Sequence, residues 1–369
     1  MVALHILIIF FNNFYVYKLD LTLKFVFLNI YMKSLLRKSI PLPYFLITIS
    51  IISISAIFFT NQYDNYENKK EIENLVSNSA SCSYSVKRLK GYQFVKPLLF
   101  VDNACESEVL WPIKQRITEI IDANKQTNNL VSASFYFKDF NSNDWISLNE
   151  DEKYFPGSLL KVPELIAFLK MNELNPGLLN KEILFDHQFQ TDKKPVFLSK
   201  SIVLGQRYTI KQLLDYMITY SDNNATILLN NAIDVKIFQK VFTDLDLEAP
   251  NWNAGNYPIS AKDFSVFMRA LYNGAYLNIK DSEFATELLS KCNFKEGIIK
   301  GLPNGTKVAH KFGESGDAVE KQLHESAIVY LNGKVYLLTI MTKGKDNKKL
   351  ADIVSQISNA VFQKVNSMS

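Results

Sequence analysis

Three short clusters carry residue types that can do chemistry together. The first is Ser158-Leu159-Leu160-Lys161, preceded by Pro156-Gly157 and followed by an apolar run. Proline and glycine mark a turn and the apolar run marks a helix start, and residues three apart on a helix share a face. Lys161 is thus expected beside the Ser158 hydroxyl. A desolvated lysine is neutral enough to take that proton, while N–H groups at the helix start face a developing oxyanion. The second cluster is Ser221-Asp222-Asn223, after a helical run over 210–219 capped by Thr209. A hydroxyl and an amide on such a turn can relay a proton and hold a substrate amide. The third is Lys311-Phe312-Gly313, after the β-prone stretch 306–310. There the lysine can attract a carboxylate and the glycine lets another backbone come close. Each cluster alone also reads blandly, as a helix start with an exposed lysine, a helix stop, and a surface lysine beside a turn glycine.

Their order and spacing resemble the Ser-x-x-Lys, Ser-Asp-Asn and Lys-Thr-Gly boxes of class A β-lactamases and penicillin-binding proteins. The resemblance runs over roughly 110–366. It implies an active-site serine hydrolase that cleaves β-lactam amides through an acyl-serine intermediate. Ser158 would be the nucleophile and Lys161 the acylation base or its partner. Ser221 would shuttle protons together with Asn223, which would also bind the substrate amide. Lys311 would attract the carboxylate, and the N–H groups of Ser158 and Glu314 would form the oxyanion hole beside Gly313.

Two departures bear on the reaction. Phe312 stands where the family has a hydroxyl residue; Ser315 is the nearby hydroxyl that would have to substitute. The loop glutamate that activates the deacylating water has no clear counterpart, because the chain reads Leu247-Glu248-Ala249-Pro250-Asn251-Trp252-Asn253 there. Glu248 is the local candidate for that base, and a solvent-exposed loop acid is the alternative. Without a positioned base the acyl-enzyme would be long-lived. Two other functions therefore stand beside the β-lactamase reading: a D-alanyl-D-alanine peptidase on peptidoglycan stem peptides, and a catalytically silent cell-wall binding domain.

The elements that must position these clusters follow from pattern. Ile113, Ile117, Ile120 and Ile121 give one apolar helical face within 106–125. An alternating stretch 131–137, a polar turn at 141–144 and a second stretch 145–148 read as a hairpin. Another hairpin, 326–331 and 335–341, is joined by Asn332-Gly333, a strong two-residue turn signal. Residues 155–290 read as mostly helical, and a helix over 350–365 closes the chain. The expected fold is α/β in the α+β sense, an antiparallel sheet built from both ends of the domain, flanked by helices and interrupted by a helical subdomain.

Before this domain, 39–63 carry no charge and 41–60 are overwhelmingly apolar. That is the length of a bilayer-spanning helix. Lys33, Arg37 and Lys38 precede it, which by the positive-inside bias puts the N-terminal side in the cytoplasm and the domain outside. The expected division is a cytoplasmic segment 1–39, an anchor 40–60, an extracytoplasmic linker 61–105 and the hydrolase domain 106–369. A cleaved signal peptide is the alternative to the anchor. Residues 1–17 are either a second membrane segment or the result of a start placed upstream of Met32. Outside the cytoplasm Cys82 and Cys105 can pair, leaving Cys292 free; otherwise all three remain thiols.

Hydrophobic residues are 47 % and charged residues 21 % of the 369, ordinary for a globular protein with a large core. A net charge of +4 and the lack of any basic run with interleaved aromatics argue against nucleic acid. Four scattered histidines and no Cys-x-x-Cys pair leave no metal or cofactor to expect. A monomer is the default.

Overall fold

The computed structural model describes residues 82–189, 196–197, 199–252, 257–331 and 333–367. The run 40–60, expected to be an anchor, and the segments around it lie outside the described residues, among which no helix is long and apolar enough to cross a membrane.

Helix α1 (Trp111–Gln126) buries Ile113, Ile117, Ile120 and Ile121, the face read from the sequence. It starts later than expected. Pro112 sits in its first turn, where a missing N–H costs nothing, and Glu108–Leu110 form a 3-10 turn before it. Strands β3 (Leu130–Asp139) and β4 (Trp145–Leu148) form the first hairpin, counted after the pair β1 (Tyr84–Arg88) and β2 (Leu98–Asn103). After a short β5 (Lys153–Tyr154) comes the helical block. It holds α2 (Lys161–Leu174), α3 (Ile210–Thr219), α4 (Asn223–Asn230), α5 (Val235–Asp244), α6 (Ala261–Tyr272) and α7 (Ile279–Ser290). Short pairs accompany it: β6 (Glu182–Leu184) with β7 (Arg207–Thr209), and β5 with β8 (Ile259–Ser260). Strands β9 (Lys307–Gly316), β10 (Lys321–Leu331) and β11 (Lys334–Gly344) follow, then α8 (Asn347–Ser367).

The main sheet runs β4-β3-β11-β10-β9, antiparallel throughout, so strands from both ends of the domain meet where β11 pairs with β3. Strand alternation separates two cores. Phe135, Phe137, Leu338 and Ile340 point to α1 and α8, where Ile117, Ile353 and Ile357 wait. Tyr136, Leu337 and Met341 point the other way, into the helical block. Within that block α2 is buried from Lys161 to Leu169 without interruption, as expected of a helix surrounded by others.

One boundary moves. The stretch 82–105, read as the end of a linker, belongs to the compact unit that starts at Cys82. β1 and β2 pair with each other, and a disulfide joins Cys82 to Cys105, leaving Cys292 as a buried free thiol.

Candidate active site

The nucleophile candidate sits on a tight turn. Gly157–Leu160 form a 3-10 turn that feeds into α2 at Lys161, so Ser158 precedes the α-helix proper. Two glycines press this turn against the edge strand β9. Gly157, at φ 53°, lies on the backbone of Glu314, and a Cβ there would collide with it. Gly313 lies on the Pro156 carbonyl, where a Cβ would collide as well. The backbones of Ser158 and Glu314 are thereby brought alongside one another.

Two buried lysines converge on Ser221, which shares the cleft wall with Ser158. Lys161 Nζ donates to the Ser221 carbonyl (2.7 Å), to Ser221 Oγ (3.2 Å) and to Asn223 Oδ1 (2.9 Å). Lys311 Nζ, from β9, donates to the same Ser221 Oγ at 2.9 Å and to the Phe312 carbonyl at 2.9 Å. Ser221 lies between α3 and α4 in the left-handed region, φ 54°. That conformation costs a non-glycine residue about 1–2 kcal/mol, and here it aims the hydroxyl between the two lysines. Asp222 caps α4 through the Asn224 N–H and also accepts from Ser201 Oγ and the Ile202 N–H, which fixes the opposite rim.

Electrostatics follow from burial. Lys161 is almost fully enclosed, and desolvation, with the positive charge of Lys311 next, pushes its pKa down to about 7 despite Glu164, Asp222 and Cys292. Lys311 is pushed down to about 8 by the same desolvation, with Cys292, Glu314 and Glu325 opposing. Behind β9, His310 Nδ1 lies 2.6 Å from Glu325 Oε1, and Glu325 Oε2 accepts the Ile298 N–H at 2.7 Å. Burial alone would raise the Cys292 thiol, but His310, Lys311 and the Phe294 backbone together bring it down to about 7. This buried charged group, which the sequence reading did not assemble, sits on the far face of the strand that carries Lys311.

The cleft has a volume of about 660 Å³, and Ser158, Ser221, Asn223, Lys321 and Glu314 are on its wall. Of the residues singled out from sequence, Ser158, Lys161, Ser221, Asn223, Lys311, Gly313 and Glu314 come together around it. Glu248 does not. Its side chain is exposed in the loop after α5, away from the cleft wall, and its carbonyl accepts from the Tyr257 hydroxyl. The loop path carries this acid out to solvent. The cleft carboxylates are engaged elsewhere. Glu314 accepts the Val196 and Phe197 N–H groups (2.9 and 3.3 Å), tying that segment across the cleft to β9. The Ser315 hydroxyl is also committed, donating to the Phe155 carbonyl at 2.6 Å. Phe312 stacks on Phe294 with ring centroids 4.2 Å apart, so the departure from a hydroxyl residue builds an aromatic end to the cleft.

Glu164 was not anticipated as special. One turn beyond Lys161, it is buried, and its Oε2 has no hydrogen-bond partner. Burial pushes its pKa up to about 8, against the pull of Lys161. The folded state therefore keeps a proton that the unfolded chain releases near pH 4.3, and stability falls as pH rises between those values. Glu164→Leu is expected to stabilise the fold by about 1–3 kcal/mol, with a gain larger at pH 8 than at pH 5 in urea unfolding. A variant less stable than the parent at both pH values would contradict this.

A search of curated proteins gives no match. Among solved structures, a PBP-A mutant in acyl-enzyme complex with penicillin G is 20 % identical, covers 69 % of this chain and 97 % of its own, and has a TM-score of 0.57. A β-lactamase from Sphaerobacter thermophilus is 17 % identical over 69 % and 97 %, with a TM-score of 0.59. An ancestral class A β-lactamase is 16 % identical over 67 % and 99 %, with a TM-score of 0.58. At these identities the likeness is one of fold. The sequence profile of the β-lactamase enzyme family, by contrast, matches residues 112–365, from the second residue of α1 to near the end of α8. On that match the chain belongs to the β-lactamase enzyme family and is a β-lactamase-like serine hydrolase.

Proposed function

We propose that Ser158 is acylated by β-lactam amides and that the acyl-enzyme breaks down slowly. The observation that carries this reading is the meeting of Lys161, Ser221 and Lys311 at one hydroxyl oxygen. Neutral Lys161 takes the Ser158 proton as Oγ attacks the amide carbonyl. The adjacent N–H groups of Ser158 and Glu314 hold the oxyanion. Ser221 Oγ accepts from both lysines, so as the C–N bond breaks its O–H protonates the departing nitrogen and Lys161 passes the proton taken from Ser158 back to Ser221 Oγ, while Asn223 holds the substrate amide. Lys311 supplies the positive charge for a substrate carboxylate.

Acyl-enzyme breakdown needs a base for water. Glu248 faces solvent, Asp222 is saturated by its cap and by Ser201 and Ile202, and Glu314 holds 196–197. These commitments favour, as a second reading, a D-alanyl-D-alanine peptidase on stem peptides, in which a β-lactam acts as a trap. The uncharged run 41–60 and the Cys82–Cys105 disulfide support an extracytoplasmic domain on a membrane anchor.

A chromogenic β-lactam should give a burst of about one product per enzyme and then a slow steady rate. Many turnovers with no burst would overturn slow breakdown; D-alanine release from a stem peptide would establish the peptidase reading. The burst rate should also be bell-shaped in pH. It rises through about 7 as Lys161 loses its proton and becomes a base. It falls above about 8 as Lys311 loses the charge that holds a carboxylate. Stopped-flow acylation rates between pH 5 and 10 check this, and a flat profile would contradict it.

A further inference from the structure

The β1–β2 hairpin takes no part in the chemistry above, yet it is built to meet something. Its inner side is fixed in place. Leu89, Leu99 and Phe100 are buried in the helical-block core, and the Arg269 guanidinium lies over the Phe100 ring, 4.4 Å from its centroid. Asp102 at its base binds both Lys138 (3.0 Å) and Arg269 (2.5 Å). The Arg88 guanidinium donates to the Lys96 carbonyl at 2.8 Å and closes the neck of the loop.

Its outer side is apolar and exposed. Val86 stands directly opposite Val101 and Arg88 opposite Leu98, with Tyr84 at the end of the strand. The tip projects Tyr92, Phe94 and Val95, and Phe94 is 90 % exposed. Around this strip stand the exposed Arg88, Lys90 and Lys96, and from Ser83 to Val101 there is no Asp or Glu. Asp246, which faces Lys90 at 3.3 Å with both side chains exposed, is the acid opposed to this group. Asp102 is already spent on Lys138 and Arg269. An exposed aromatic tip ringed by cations is the pattern of a segment that lies in the headgroup zone of a bilayer.

We infer that this hairpin docks the catalytic unit onto an anionic lipid surface, with Phe94 and Tyr92 entering the interface and Arg88, Lys90 and Lys96 facing lipid phosphates. Charge complementarity selects that occupant over a second copy of this chain, whose same face would present the same three positive charges. The position in the chain agrees. The hairpin is the first element after 61–81, a stretch that spans at most about 70 Å fully extended and that follows the apolar run 41–60.

The test uses residues 82–369, which form one compact unit containing both cores and the disulfide. The fragment is sedimented with vesicles of phosphatidylcholine alone or with phosphatidylglycerol added. Wild type is expected to pellet with the anionic vesicles, less so in high salt. Phe94→Ser with Tyr92→Ser, and separately Lys90→Glu with Lys96→Glu, should each weaken partitioning at least tenfold while leaving Ser158 acylation by penicillin unchanged. Absence of binding, equal binding by the variants, or a hairpin-dependent dimer in analytical ultracentrifugation would each overturn the inference. A fragment that is acylated but ignores vesicles overturns it without touching the acyl-serine reading, whereas one that binds vesicles but is never acylated does the reverse.

Discussion

Lys161→Ala is expected to slow acylation of Ser158 by about 10²–10⁴-fold, the usual worth of a positioned general base. As an ammonium Lys161 donates to the Ser221 carbonyl, Ser221 Oγ and Asn223 Oδ1, and burial makes the neutral form, which gives up one of these bonds and frees a lone pair, accessible near pH 7. Arginine cannot replace it, because a guanidinium does not give up its proton in a protein. Lys161→Arg should therefore be as slow as alanine. The fold should survive the alanine change, since what is lost includes an amine that burial already disfavours as a cation. Adduct formation followed by mass, beside a thermal melt, reads both effects. A loss below tenfold would mean that another group takes the proton.

Ser221 gives the second large effect, and two substitutions separate its roles. Ser221→Gly and Ser221→Ala both remove the hydroxyl shared by Lys161 and Lys311, and each should slow acylation about 10²–10³-fold as the proton path to the departing nitrogen is cut. They should differ in stability. Glycine adopts φ 54° freely, while alanine keeps the left-handed strain of about 1–2 kcal/mol. The glycine variant is expected to be the more stable of the two at equal activity. Near-normal acylation by Ser221→Gly would remove Ser221 from the reaction.

What could be read in the sequence was what local chemistry decides. The helix Ile210–Thr219 matches its expected bounds because Thr209 and Gln212 form a capping box within four residues. The second hairpin was readable from Asn332-Gly333, although β10 and β11 extend well beyond the stretches picked out by alternation. Their outer residues include polar ones that tertiary contacts bury, such as His324 and Thr342. The three motif clusters were legible because they are short; their convergence on one oxygen was not, being fixed by how β9 packs on the turn before α2. Glu164 carried no signal in the sequence, since only the helices packed around α2 make that side buried. Glu248 looked like a candidate base because nothing in seven residues of loop says which way the chain turns. His310, Glu325 and Cys292 meet across β9, β10 and the end of α7, a juxtaposition no spacing rule encodes. The hairpin over 82–105 was hidden by its short strands and by an exposed, apolar outer face that lacks the usual alternation.

The most direct test of the central claim is the intact mass of the 82–369 unit over time with penicillin, beside Ser158→Ala. One penicilloyl adduct is expected on the wild type, persisting long after free drug is removed, and none on the variant. An adduct that forms equally on Ser158→Ala, or no adduct on either, would contradict the assignment of Ser158 as nucleophile.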